Sequence, residues 1–229
     1  MIRYTTKGRA QLYNDAFPSR PPIAEGNGMV SGCWMIGACY KNPNPLYGAY
    51  PHGYLERVHA MFPEARKILH VFSGGLTQMA ACEAAWPNVK EANAANEART
   101  GTKWNVVSLG DGWAMELVDM HGPEQGRNPT WQGDLFDFCE LPEQQGRFDL
   151  VLADPPYSAA DAVKYDCPAP NRGKILRALR QVTAKAGNLV WLDQVWPMHR
   201  KADWKTWGTI GLVRSTNHRM RLVSMFEAQ

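Results

Sequence analysis

Short apolar runs alternate with amphipathic segments through the middle of the chain. Leu55, Val58 and Phe62 recur at helical spacing before Pro63, which predicts a helix over 54–62. Five compact apolar runs predict buried strands: 68–72, 115–118, 130–133, 148–153 and 189–192. Helical patterns over 76–86 and 175–182 lie between these runs. This alternation predicts an α/β fold with a doubly wound, mostly parallel sheet.

The two ends of the chain follow different patterns. Ile210–Val213 and Met220–Phe226 alternate in polarity, which predicts an antiparallel strand pair at the C-terminus. Frequent Pro and Gly predict an irregular N-terminal arm over 1–46, in which only 33–36 fits an edge strand or a plug. We therefore expect one main domain over 47–229, with an insertion at 88–113 that contains a short helix near 91–99.

Composition excludes several classes of protein. The 229 residues are 45% hydrophobic and 21% charged, which is typical of a globular domain and argues against disorder. The N-terminus lacks the apolar run of a signal peptide, and no segment approaches the roughly 18 apolar residues of a membrane span. Five scattered cysteines without a C-x-x-C pair argue against a disulfide scaffold and a zinc site. We expect a cytoplasmic protein that binds neither a membrane nor a metal.

Polar and glycine residues follow the predicted strands. They are Ser73, Gly74 and Gly75 after the first strand, then Asp119, Asp134 and Asp154 after the next three. The carboxyl ends of parallel strands meet at one edge of a sheet, where ligands of doubly wound proteins bind. The sequence therefore predicts a pocket formed by these residues.

The segment Asp154-Pro155-Pro156-Tyr157 directly follows an apolar strand, some 80 residues after the glycine turn. It resembles the D-P-P-Y signature of the S-adenosylmethionine-dependent amino-methyltransferases, which methylate exocyclic nitrogens of nucleic-acid bases. The resemblance extends from about residue 47 to the C-terminus and implies a Rossmann-like methyltransferase domain. It assigns Asp154 and Pro155 to orienting the target amine and Tyr157 to stacking on a flipped-out base. Consecutive prolines would keep this loop rigid.

The same resemblance implies a binding site for S-adenosylmethionine. The glycine turn is similar to the family's first motif, which approaches the methionine part of the cofactor. Asp119 corresponds to the acid that accepts the ribose hydroxyls, with Asp111 as a competing candidate. Asp134 corresponds to the acid that binds the adenine amine, with Leu135 or Phe136 covering the ring. The cofactor residues implied are Phe72, Ser73, Gly74, Gly75, Asp119, Asp134 and Leu135.

Positive charge gathers near the C-terminus, where residues after 199 include six Lys or Arg and two acids. Trp196, Trp204 and Trp207 are interleaved with these charges, a mixture suited to phosphate contact and base stacking, with a solvated charged face over buried indoles as the alternative. The nucleic-acid-binding candidates lie at or beside the loop between the last two strands: Arg214, Asn217, His218, Arg219 and Arg221.

These features lead to a hypothesis of N6-adenine methylation in DNA. Alternatives in the same chemistry are an RNA methyltransferase acting on adenine N6 or guanine N2, and a DNA cytosine N4 enzyme. An alternative of another class is a non-catalytic cofactor-binding subunit of a nucleic-acid-binding complex. The length leaves little room for a separate recognition domain, so we consider that the protein forms a homodimer or binds a separate partner that supplies sequence specificity. We expect the protein to be located in the bacterial cytoplasm, either as a bacterial protein or as a viral protein in a bacterial host.

Overall fold

The computed structural model describes residues 3–37, 50–86, 88–89, 91, 113–125, 127, 129–214 and 220–229. Within them, the strands are β1 (Ala24–Gly26), β2 (Met29–Ile36), β3 (Lys67–Val71), β4 (Ala114–Asp119), β5 (Trp131–Gln132), β6 (Phe148–Ala153), β7 (Thr183–Asp193), β8 (Trp204–Arg214) and β9 (Met220–Ala228). The α-helices in the same residues are α1 (Thr6–Ala16), α2 (Tyr54–Ala60), α3 (Gln78–Ala85), α4 (Leu135–Glu140), α5 (Ala159–Lys164) and α6 (Arg172–Val182).

These strands form one sheet in the order β1-β2-β8-β9-β7-β6-β3-β4-β5. The neighbours from β7 to β5 are parallel, whereas β9 lies antiparallel between β7 and β8. The prediction of a doubly wound, mostly parallel sheet with an antiparallel C-terminal pair is confirmed. The chain order along this part of the sheet reverses direction between β3 and β6, which is where such folds bind ligands.

Successive residues of the central strand β6 point to opposite faces of the sheet. Leu150 and Leu152 pack into the core that contains α1, α2 and α3, while Val151 and Ala153 pack into the core that contains α4 and α6. Both faces are covered, which explains why the parallel strands appear as continuous apolar runs in the sequence.

Side-chain caps determine where most helices begin. An Oγ or Oδ atom of the preceding residue accepts a backbone N–H from the first turn of five helices, at Thr5, Thr77, Asp134, Ser158 and Asn171. Each bond satisfies a donor that has no partner inside the helix. Two of these caps, at Asp134 and Asn171, lie at the edge of the sheet where the pocket was predicted.

The prediction of an irregular N-terminal arm is wrong for residues 3–37. This segment forms α1 and the β1–β2 hairpin, and β2 pairs in parallel with β8 from Val30 to Ile36. Trp34 is fully buried and stacks against Tyr13 of α1, with 5.5 Å between ring centroids. The Pro and Gly residues lie mainly between these elements, so they end helices and strands without preventing them.

Two further expectations concern segments beyond the main strands. Most of the proposed insertion at 88–113, including its helix near 91–99, lies outside the described residues. The helix predicted over 175–182 is α6, which begins earlier, at Arg172, and ends at Val182, where β7 follows directly. No helix among the described residues is long and apolar enough to cross a membrane.

Candidate active site

A pocket with a volume of about 760 Å³ opens at the carboxyl edge of the parallel strands. Gly74, Asp119, Asp134 and Asp154 all line it, each at the end of a different strand. The strand order arranges them along the edge as Asp134, Asp119, Gly74 and Asp154. Three strand spacings give this row a length of about 14 Å, which suits an elongated ligand.

Most of the predicted site residues meet at this pocket. Those that line it are Phe72, Gly74, Asp119, Asp134, Leu135, Asp154, Pro155, Pro156, Tyr157, Arg214 and Arg221. Ser73 and Gly75 belong to the same turn as Gly74 but do not line the pocket. Asn217, His218 and Arg219 lie outside the described residues, as does Asp111, the competitor of Asp119.

Asp119 joins the glycine turn to the second strand of the site. Its Oδ2 accepts the backbone N–H of Gly74 at 2.8 Å, and its Oδ1 accepts the N–H of His121 at 3.1 Å. Arg127 donates to the same Oδ1 at 2.7 Å in a mostly buried ion pair. Phe72 adopts a φ of 60°, a conformation unusual for a bulky residue. The ion pair with Arg127 was not predicted, because nothing in the irregular segment around that arginine points to it.

One carboxylate oxygen of Asp134 caps a helix, and the other is free to bind a ligand. Its Oδ1 accepts the N–H of Phe136 at 2.7 Å and caps α4. Its Oδ2 makes no hydrogen bond to the described part of the chain and is free to accept one from a ligand. The Lys174 ammonium lies 3.9 Å from the centroid of the Phe136 ring, so this end of the pocket combines an aromatic side chain with a cation.

Asp154 and Tyr157 are bonded to each other across the D-P-P-Y loop. The Tyr157 hydroxyl donates to Asp154 Oδ1 at 2.6 Å. Burial raises the pKa of Asp154 from 3.8 to about 6, although the charge of Arg221 and the Tyr157 hydrogen bond both lower it. Burial, followed by the nearby Asp154 charge, also raises the pKa of Tyr157 well above its ordinary value. Asp154 is therefore a carboxyl group that changes charge close to neutral pH.

An ion pair beneath the loop holds it against the sheet. Arg172, at the start of α6, donates through Nε and Nη2 to the two carboxylate oxygens of Asp193, at 2.7 and 3.1 Å. The same Nη2 donates to the Tyr157 carbonyl at 2.8 Å. Asp193 ends β7, so it has the same strand-end position that identified the other three acids, and the sequence could have suggested it. Arg172 had no comparable signal.

Loss of the Asp193 carboxylate should destabilise the fold. Asp193 is fully buried and also accepts from the Trp191 indole and the Gln194 N–H. We expect Asp193→Ala to lower the free energy of unfolding by about 3 kcal/mol, because the partly buried Arg172 loses its counter-ion and the buried Trp191 indole loses its acceptor. Denaturant titration would measure the change. Asp203→Ala is the matched control, because Asp203 pairs with a well-exposed Arg200 at 3.6 Å and should cost less than about 1 kcal/mol. Equal losses in the two variants would contradict the role of the buried pair.

Not all of the tryptophans near the C-terminus lie where a ring has to lie in order to stack on a nucleic-acid base. Trp204 and Trp207 are buried, and their indole N–H groups donate to the Leu176 carbonyl and to Asn188 Oδ1. The alternative interpretation, a charged face over buried indoles, therefore holds for these two rings, because both belong to the core. Trp196 is 39% exposed and remains available. The described cations at the pocket come from several elements instead: Arg127, Lys164, Lys174, Arg214 and Arg221.

Within the described residues, no group of three or more His, Cys, Asp or Glu side chains is arranged to hold a metal ion.

No protein-family model matches the sequence, and no curated protein matches it. Solved structures with a similar fold include TrmN from Thermus thermophilus, at 12% identity and a TM-score of 0.38, covering 72% of this chain and 44% of that one. The N-methyltransferase NodS from Bradyrhizobium japonicum WM9 is 11% identical with a TM-score of 0.41, covering 76% of this chain and 92% of that one. SMU.776, in a complex with SAH, is 12% identical with a TM-score of 0.44, covering 90% of this chain and 56% of that one. This chain thus spans less than half of TrmN, and these likenesses concern the fold alone.

Proposed function

We propose that the protein is an S-adenosylmethionine-dependent amino-methyltransferase that acts on a nucleic-acid base, at N6 of adenine in DNA. The observation that carries this proposal is the shared pocket of the glycine turn, Asp119, Asp134 and the D-P-P-Y loop. Each of these features follows a different strand, and the D-P-P-Y loop lies at one end of their row along the sheet edge.

The residues present fit the proposed cofactor. The free Oδ2 of Asp134 would accept a hydrogen bond from the adenine amine, while Phe136 and Leu135 offer apolar surface to the ring. Asp119 would accept a hydrogen bond from one ribose hydroxyl, because a carboxylate has about four lone-pair sites and three donors occupy the others. The turn at Gly74 would approach the methionine part without a Cβ in the way. When bound, the cofactor supplies a methyl group on a positively charged sulfur, ready for direct displacement.

Asp154 and Pro155 would activate the acceptor amine. The lone pair of an exocyclic amine is conjugated into the base, which makes the nitrogen a poor nucleophile. Two acceptors that each hold one N–H pull the nitrogen toward tetrahedral geometry and free the lone pair. Asp154 Oδ2 has no hydrogen bond to the described residues and would be one acceptor. The Pro155 carbonyl, held in a loop that two prolines stiffen, would be the other.

Tyr157 would hold the base in place by stacking. Its hydroxyl is anchored on Asp154 and its carbonyl on Arg172, so the ring has a defined orientation. A base stacked on an aromatic side chain gains about 1–3 kcal/mol. The base has to leave a duplex, or be single-stranded, to enter such a pocket.

The rate of methyl transfer should rise with pH through about 6 and level off above it, because the pKa of Asp154 is raised to about 6 and only its carboxylate form accepts the amine hydrogen. Tyr157→Phe retains the ring but loses the hydroxyl whose hydrogen bond lowers that pKa. We therefore expect the midpoint of the rate profile to move to higher pH in this variant. Initial rates between pH 4.5 and 9 would measure both midpoints, and an unchanged midpoint in Tyr157→Phe would assign the titration to another group.

The direct test is incubation with S-adenosylmethionine carrying a labelled methyl group, together with duplex DNA, single-stranded DNA or RNA. Nucleoside mass spectrometry then identifies the product. N6-methyladenine in DNA is the expected result. Methylated RNA, N4-methylcytosine or N2-methylguanine would each replace the proposed target with an alternative one. Cofactor binding without any transfer would identify a non-catalytic subunit.

A further inference from the structure

Arg221 covers the ring on which the target base is proposed to stack. Its guanidinium carbon lies 4.7 Å from the centroid of the Tyr157 ring. Both residues line the pocket, so the contact between ring and guanidinium group belongs to the pocket wall. A base and a guanidinium group are both flat and comparable in thickness, and they cannot occupy this face at the same time.

No carboxylate in the described part of the chain holds Arg221 in this position through an ion pair. The ion pairs of those residues join other arginines and lysines to their acids, and the Arg221 guanidinium group makes no hydrogen bond to a described side chain or carbonyl. By contrast, Arg172 and Arg127 are both fixed by hydrogen bonds to carboxylates. Arg221 is held by the ring and by attraction to the nearby Asp154 charge, both of which a ligand can replace.

The location of Arg221 on β9 fits a side chain that moves. β9 is antiparallel to β8 and begins with Met220, so Arg221 is its second residue. A long side chain anchored on a sheet strand can swing between the ring and the mouth of the pocket without a change in the backbone. At the mouth, its five N–H donors suit the phosphate that flanks a flipped nucleotide.

We propose that Arg221 occupies the target-base position in the substrate-free protein and that the incoming base displaces its guanidinium group from Tyr157. This inference rests on the proposed function, because it names a positioning residue of the same site. Arg221 would then oppose the entry of an isolated base and favour that of a nucleotide whose phosphate receives the displaced side chain. Discrimination against free nucleosides would follow.

A fluorescent nucleoside without a phosphate measures the first of these effects, the opposition of Arg221 to the entry of an isolated base. The probe is 2-aminopurine deoxyriboside, titrated in the presence of S-adenosylhomocysteine, with quenching as the measure of stacking. Arg221→Met removes the charge and the flat group but retains the length of the side chain. Because the nucleoside no longer has to replace the cation–π contact, we expect it to bind Arg221→Met about 3- to 10-fold more tightly than the wild type. Arg214→Met is the matched control, because Arg214 also lines the pocket but is not paired with the Tyr157 ring.

A single-stranded oligonucleotide that contains one 2-aminopurine provides the second measurement. Its affinity should fall in Arg221→Met, because the displaced arginine can no longer bind the phosphate. Opposite changes for nucleoside and oligonucleotide distinguish displacement from a general loss of structure, which would weaken both. Arg221→Lys retains the charge and should restore oligonucleotide binding more than nucleoside discrimination.

The possible failures are distinguishable. Methyl transfer by the wild type together with equal nucleoside affinity in wild type and Arg221→Met would overturn this inference alone. An equal gain in Arg214→Met would overturn it as well. A wild type that neither methylates nucleic acid nor binds either probe would overturn the proposed function and the inference with it.

Discussion

Asp154→Asn is expected to reduce methyl transfer by about 10²- to 10³-fold while the dissociation constant of the cofactor changes less than about twofold. The amide has nearly the shape of the carboxylate, but its NH₂ group faces the amine as a donor and its oxygen carries no charge. The amine then loses the acceptor that frees its lone pair. Single-turnover rates with labelled cofactor, combined with calorimetry, would measure the two quantities separately.

Asp149→Asn is the control for this variant, because Asp149 lies on the same strand at the opposite edge and accepts the backbone N–H groups of Arg66 and Lys67. Full activity in Asp154→Asn would exclude Asp154 from the chemistry.

The stability of Asp154→Asn provides an independent check. The pKa of Asp154 in the folded protein is above its ordinary 3.8, so the folded state loses stability as pH rises from about 4 to about 6. Asp154→Asn avoids that loss and should be more stable than the wild type by about 1–3 kcal/mol at pH 8 and equal to it at pH 4.

Asp119→Asn is expected to weaken cofactor binding by about 10- to 100-fold, because a hydrogen bond to a charged group is worth about 1.5–3 kcal/mol and the ribose would lose the one that Asp119 accepts. The substitution also leaves Arg127 without its anionic partner and perturbs the Gly74 turn. Calorimetric titration with S-adenosylhomocysteine would measure the effect.

Arg127→Met separates these causes, because it removes the ion pair and retains the carboxylate. If the ribose contact dominates, this variant should bind the cofactor within about threefold of the wild type. Glu116→Gln, on the same strand but outside the pocket, should leave binding unchanged. Equal weakening in Asp119→Asn and Arg127→Met would show that the ion pair, not the ribose contact, is what binding requires.

The central strands and the strand-end residues could be predicted from the sequence, because both depend on local patterns. β6 coincides with the predicted 148–153, and Asp119 and Asp154 lie at the ends of β4 and β6 as expected. A strand that is buried on both faces is apolar where it crosses the core, so the polar residue that follows this apolar run marks the edge of the sheet. The N-terminal segment did not follow such a rule. Its strand β2 depends on pairing with β8, some 180 residues away, and no local pattern reports that contact.

The side chains that contact the site residues could not be predicted from local sequence patterns either. Arg127 with Asp119, Arg172 with Asp193, and Arg221 with Tyr157 each join side chains from different elements. The raised pKa of Asp154 is a property of its surroundings, since burial is the largest cause and burial exists only in the folded protein. The sequence by itself determined the alternation of strands and helices, and with it which acids reach one edge of the sheet. Only the tertiary structure decided which cation approaches each acid and which aromatic ring is covered, because long side chains from distant segments meet only after the sheet has assembled.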